Sequence, residues 1–474
     1  MAALHDLTAL EQAQAIKTRE ISPVELAEHY IARSERLSET VGAFITMTPE
    51  LALQQARDAE QAVIDAVDPQ ALPVLHGVVV PVKDLNFLAG VRCTMGSLTY
   101  DITPFGDDHV VARMKQGNVV MTGKTNTPEF GLPCYTEPDV APPARTPWDL
   151  SRSAGGSSGG AAAAVAAGLA PVAHASDGGG SIRIPASVCG LVGIKTSRGR
   201  TSTGPLRDPV GEFPVNGPVA RTVRDAAALL DVLAGAFPDD PYPAPPLLPG
   251  ETFLHAAGRE PGVLRIGRSA TPLVSDAEVH PDCLEAYESA SMLLEELGHV
   301  VEDFTPAFPD AMVGTFETVW SVLALLTPVD PARESELQPL TRYLRERGAQ
   351  VSGIELAQAV SFCRLASRGA IASAAAYDVL LTPTLALPPV PVGYFTAGDD
   401  PRVNFERQKA FTPFTAPFNM TGQPAISMPL HWTEAGLPIG VQLIGRPYDE
   451  ATLISLAAQL EAARPWLGRR PDVW

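Results

Sequence analysis

Gly155-Gly-Ser-Ser-Gly-Gly160, the run Ala161-Ala-Ala-Ala-Val-Ala-Ala-Gly168 and Asp177-Gly-Gly-Gly-Ser-Ile-Arg183 follow one another in a single segment. The alanines predict a helix that ends at Gly168, a glycine suited to a C-cap. Its side chains are small enough to let it pack close against a sheet. The turns on either side each set a serine, Ser157 or Ser181, among glycines.

On both sides of this segment, strand-like and helix-like stretches alternate. Gly77–Val82 and Asn118–Thr122 are β-like, with a helix expected over His109–Gln116. The first 65 or so residues read as helical. Ser22-Pro23-Val24-Glu25 forms a capping box, with proline at the first helical position. Later come a strand over Gly262–Gly267, an amphipathic helix over His280–Gly298 and a strand from Val300. Tyr377–Thr384 reads as a buried strand. Pro424–Pro429 and Gly440–Gly445 read as a final strand pair, and a helix starts near Asp449. The alternation predicts an α/β fold with a largely covered sheet. Pro238–Gly250 is a proline-rich surface loop. The pattern continues across it, so one large domain is expected. Residues 311–376 are mostly helical, and the aromatics Phe316, Trp320 and Tyr343 there read as core packing.

Composition narrows the function. Of 474 residues, 45% are hydrophobic and 19% charged, ample for a large core. The net charge of −19 disfavours nucleic acid and anionic membrane, which both need basic patches. The start Met-Ala-Ala-Leu-His-Asp has neither a basic n-region nor an apolar h-region, and no apolar run is long enough to span a bilayer. Cys93, Cys134, Cys189, Cys283 and Cys363 are scattered without a C-x-x-C pair. They read as reduced thiols of a cytoplasmic protein. The nine histidines form no H-x-x-x-H pair, so the sequence gives no support to a metal site, with a set assembled from distant residues left open.

Two motif matches fail on inspection. Gly155-Gly-Ser-Ser-Gly159 fits G-x-S-x-G, but a nucleophile elbow needs a strand directly before it, and Trp148–Ser153 is polar and loop-like. Gly117–Thr125 resembles a P-loop with one residue too many between its glycines, so Lys124 is read as structural. Asp177-Gly-Gly-Gly-Ser181 carries more. Successive glycines can turn backbone N–H groups toward one point, which is how an oxyanion hole is built without side chains. Read alone, it is first a glycine-rich turn with a surface Asp177–Arg183 ion pair. A serine nucleophile needs a base. A buried lysine serves if desolvation keeps it neutral, and Lys83 follows the apolar strand that ends in Val-Pro-Val82, although on local sequence alone it reads first as a solvated lysine at a strand terminus.

Taken together, Pro81-Val-Lys-Asp84, Gly123-Lys-Thr-Asn-Thr-Pro-Glu-Phe130, the stretch Gly155–Lys195, Asp378–Thr384, Phe418–Gly422 and Gly436–Arg446 resemble the amidase signature family. The resemblance covers most of the chain. It implies a Ser–Ser–Lys triad with Ser181 as nucleophile, Ser157 as bridging serine and Lys83 as terminal base. It also implies an oxyanion hole from the amides of Gly178, Gly179, Gly180 and Ser181, with Asp177 and Arg183 supporting the nucleophile loop. Phe130 and Gly131 match a stretch that borders the acyl site in some members. The peptide bond before the bridging serine is cis in the family. The implied fold is a single domain, residues 1–474, with a mixed, mostly parallel twisted sheet and helices on both faces. Within it, residues 1–65 form a helical part, 66–240 the catalytic core, and 251–474 the rest of the sheet with the variable region 311–376. The implied activity is hydrolysis of a small-molecule amide, anilide or carbamate without a cofactor, in a cytoplasmic enzyme for which a homodimer is left open.

This sequence departs from the family pattern in places. Ser176 and Gly178 flank Asp177 where many members carry threonine and another residue, and Leu85-Asn86 replace the Asn-Ile usual in tRNA-dependent amidotransferase subunits. The latter weighs against the alternative of an amidotransferase subunit active only in a complex. The intact Lys83, Ser157 and Ser181 weigh against an inactive binding protein.

Overall fold

A computed structural model describes residues 3–205, 210–398 and 400–474. Eight strands form the central sheet. They are β4 (Val172–Asp177), β5 (Val192–Lys195), β6 (Val215–Ala220), β7 (Arg265–Arg268), β8 (Val300–Asp303), β9 (Val379–Pro383), β10 (Ala425–Trp432) and β11 (Pro438–Gly445). Their spatial order is β4-β6-β5-β10-β11-β9-β7-β8. Strands from both sides of the proline-rich stretch therefore share one sheet. A small second sheet, ordered β1-β3-β2, combines β1 (Phe44–Met47), β2 (Val82–Lys83) and β3 (Gly123–Thr125).

The sheet is mixed, as expected, but not mostly parallel. Pairing is antiparallel from β4 through β9 and parallel only at β9–β7–β8. The helix Arg183–Cys189 does return the chain from β4 to a β5 that runs the same way. β6 then inserts between them and opposes both. β10 and β11 form a hairpin, which the alternation of strands and helices does not distinguish from a crossover.

Both faces of the sheet are covered. Val172 belongs to the core built with the helices Val223–Leu233, Pro281–Glu296 and Glu450–Ala463. Its neighbour Ala173, and Ala175, belong to a second core with the helices Gly159–Ala166 and Arg183–Cys189. Successive strand residues thus feed opposite cores, as pleating requires. The alanine helix is fully buried. A side chain at Gly160 would come within 2.3 Å of the Asn126 nitrogen, so its start needs glycine.

Other expectations shift by a few residues. The helix His109–Gln116 falls where expected. β1 interrupts the helical N-terminal part, and the capping box is only half formed. Ser22 accepts from the amides of Val24 and Glu25, while its hydroxyl donates to Glu60 at 2.6 Å. The helices Ala311–Leu326, Pro339–Gln350 and Gly353–Ser373 pack on one another and on the helices Pro401–Phe411 and Pro417–Thr421. Among the described residues, no helix is long and apolar enough to cross a membrane.

Candidate active site

Lys83 ends β2 and is wholly buried. Its Nζ contacts Ser157 Oγ at 2.8 Å and donates to the Ser176 carbonyl at 3.2 Å. The next residue, Asp84, pairs with Lys124 at 2.9 Å and accepts from the amide and hydroxyl of Thr94. The carboxylate beside Lys83 in sequence is thus committed elsewhere, and Lys124 is structural. Burial pushes the Lys83 amine well below the usual lysine range, and the charge of Asp177 only partly opposes this.

His174 is not a base for either serine. Its Nδ1 accepts from the Lys83 backbone amide at 3.3 Å, so Nε2 is the donor to Asn216 Oδ1 at 3.0 Å. Burial pulls its pKa down to about 3, so the ring is neutral and ties β2 to β4.

Ser157 lies just before the alanine helix, and the Gly156–Ser157 peptide bond is cis. Its neighbour Ser158 escaped the sequence reading. The Ser158 amide donates to the Ser181 carbonyl at 3.2 Å, and its hydroxyl donates to the Ser176 carbonyl at 3.1 Å. Ser158 therefore staples the two glycine-serine turns together. A bare Ser-Ser pair does not reveal which member faces inward.

Ser181 follows β4 through the turn 178–180. Asp177 and Arg183 form a fully buried bidentate pair, with Nε–Oδ2 at 3.0 Å and Nη2–Oδ1 at 2.9 Å. Arg183 also donates to the Thr415 carbonyl, Gln442 and Asn419, and Asn419 donates back to Asp177. Burial opposes ionisation of Asp177, but Arg183, with help from Lys195 and Asn419, outweighs it and holds the carboxyl far below its ordinary range. The surface ion pair of the sequence reading is in fact a buried brace.

That brace changes the oxyanion hole. Asp177 Oδ1 accepts from the Gly180 amide at 2.7 Å, and Oδ2 accepts from the Ile182 amide at 3.1 Å. The Gly180 N–H is thus engaged and is withdrawn from the expected set of donors. The amides of Gly178, Gly179 and Ser181 have no partner among the described residues. Gly180 has φ +137°, and a side chain there would come 2.5 Å from the Thr415 hydroxyl.

Two cavities flank the serines. One is lined by Ser181 and Gly179 together with Leu273, Phe308, Met312 and Phe316. The other is lined by Ser157 and Gly178 together with Asn86, Phe130, Gly131 and Leu323. Leu132 and Trp320 border both. Phe130 and Gly131 thus lie with Ser157, not with Ser181. Phe316 and Trp320 stack at 5.2 Å, and Phe316 stacks on Phe213 at 5.3 Å. Their rings face Gly179 and Gly178. The packing role expected for these two aromatics is real, but they also wall the site.

A mixed sheet that brings a buried lysine–serine pair up against a turn of unpartnered amides is the layout of a hydrolase of carbonyl compounds. Comparison with known proteins narrows the class. The Amidase family model matches residues 25–454, and the chain belongs to that family. It is 36% identical to the 6-aminohexanoate-cyclic-dimer hydrolase of Paenarthrobacter ureafaciens, covering 98% of this chain and 96% of that one. It is 33% identical to an acylamidase of Rhodococcus erythropolis, covering 99% and 98%. A solved 6-aminohexanoate cyclic dimer hydrolase superposes with TM-score 0.90 at 34% identity over the whole of both chains. A bacterial aryl acylamidase of the amidase signature family superposes with TM-score 0.87 at 26% identity, covering 99% of this chain and 100% of that one. The protein is an amidase-family hydrolase acting on amide C–N bonds.

Proposed function

We propose that Ser181 is the acylated nucleophile, with Ser157 and Lys83 as its proton relay. The observation that carries this is the 2.8 Å contact between Lys83 Nζ and Ser157 Oγ in a fully buried setting. Neutral Lys83 keeps an N–H on the Ser176 carbonyl while its lone pair takes a proton from Ser157 Oγ. Ser157 in turn takes the proton of Ser181 as Oγ bonds to the carbonyl carbon. The amides of Gly178, Gly179 and Ser181 supply donors for the oxyanion. When the C–N bond breaks, Ser157 gives its proton to the departing nitrogen and is reprotonated by Lys83. The amine leaves at this step, and water then cleaves the Ser181 ester by the same relay, releasing the acid and restoring the serine.

Anilides and carbamates present the same carbonyl, so urethane cleavage belongs to the same reading. The names of the relatives, hydrolases and an acylamidase, favour an enzyme over an amidotransferase subunit. The chain is read as one domain, supported by the shared sheet, and as cytoplasmic, supported by five scattered, buried cysteines without a C-x-x-C pair. The assignment is tested by fluorophosphonate labelling with fragmentation mass spectrometry. The adduct is expected on Ser181. An adduct on Ser157 would reverse the two serines.

A further inference from the structure

Ser181 and Ser157 line different cavities, although both belong to one relay. Resting on the roles assigned above, that separation has a chemical meaning. The acyl carbon bonds to Ser181 Oγ and stays there after C–N cleavage. The departing nitrogen must face the group that protonates it, which is Ser157. The two halves of the substrate therefore leave the reacting carbonyl in opposite directions.

We propose that the Ser181 cavity holds the acyl group and the Ser157 cavity holds the leaving amine, with Trp320 as the divider. The helix Ala311–Leu326 spans both, presenting Met312 and Phe316 to the first and Leu323 to the second. The acyl side is walled by Leu273, Phe308, Met312 and Phe316, so it takes an apolar acyl group. The Glu317–Lys409 ion pair, at 2.7 Å, borders it. On the amine side, Asn86, Thr203 and Asn216 stand among Leu85, Phe130 and Leu323. That mixture suits an amine carrying a ring or short chain with a polar substituent. Phe130 and Gly131 then contact the amine, not the acyl group as the family resemblance implies.

The kinetics of the two half-reactions separate these roles. Every substrate of one acyl group yields the same acyl-enzyme, so contacts to the amine are gone before deacylation. The experiment uses the full-length enzyme and two series of p-nitroanilide-type substrates: one with acyl chains from acetyl to hexanoyl on one amine, the other with one acyl group on a set of substituted anilines. Acylation is read from the burst, deacylation from the steady state. Leu323→Ala should shift relative kcat/KM across the amine series by about tenfold and leave the deacylation constant unchanged. Met312→Ala should change acyl-chain preference by a similar factor, in deacylation as well as acylation. Met312→Leu keeps the core filled and should show the same effect more weakly if Met312→Ala does not fold. Exchanged effects, with Leu323 changing deacylation and Met312 only the amine series, would overturn the partition and leave the relay standing. Absence of any Ser181 acyl-enzyme would overturn both.

Discussion

Residues 155–183 and 311–376 wall the same cavities but are built by different rules. The first segment is built of small residues and almost wholly buried, and several of its polar groups have short-range partners: Ser158 with Ser176, Asp177 with Gly180 and Arg183. The second is a stack of helices on helices. It exposes Leu326, Ile354 and Leu365 to solvent and reaches the serines only through large side chains such as Phe316 and Trp320. Positions that must hold a proton path to fractions of an ångström tolerate little, because neighbours are backbone atoms that cannot yield. A wall of side chains can change shape while the reaction stays the same. The proposed relay therefore draws mainly on the first region, and the proposed selectivity on the second.

The largest expected effects fall on the first region and on Lys83, which meets it through Ser157. Ser181→Ala should lower kcat by at least roughly 10⁴-fold with an unchanged circular dichroism spectrum. Turnover within tenfold of wild type would move the nucleophile elsewhere. Lys83→Ala should cost nearly as much, since relay members act as a unit. A variant that kept most of its activity would leave Ser157 without its base.

Next comes the brace. Arg183→Ala strands a buried Asp177 carboxylate and should lower unfolding stability by about 3–5 kcal/mol, read from denaturant midpoints. A loss under 1 kcal/mol would mean the pair is not what orders the 178–181 turn.

A smaller effect is expected in the pH profile. The proposed relay needs neutral Lys83. Burial lowers its pKa, so the working form survives to lower pH than for a free lysine, and kcat/KM should fall on the acid side as Lys83 gains its proton. Lys195 is also buried and is drawn down to about 7, by burial first and then by Arg183. Lys195→Met should keep the acid limb. Its disappearance in that variant would transfer the limb to Lys195.

The smallest effect belongs to the second region. Phe316→Leu should alter selectivity among acyl groups by roughly tenfold while stability changes little beyond a lost ring contact. A uniform loss of activity for all substrates would show that the ring supports the amide turn and does not merely line the cavity.

Ser157 and Ser181 stood out in the primary structure because a glycine-serine turn, an alanine helix and a second such turn are local patterns with few physical readings. The helix His109–Gln116, the β10–β11 pair and the surface loop were legible for the same reason. Lys83 was singled out only through the family resemblance, since burial is not a local property. Other features depended on contacts between distant residues. β6 inserts between β4 and β5, so the sheet is largely antiparallel, and no local periodicity encodes a strand's neighbour. Asp177 spends the Gly180 amide, and Asn419 and Gln442, far along the chain, complete the Arg183 brace. Trp320 reads as an ordinary core aromatic in sequence and stands between two cavities in space. Hydrogen-bond saturation and side-chain packing are properties of neighbours in three dimensions, and only the folded chain assigns those neighbours.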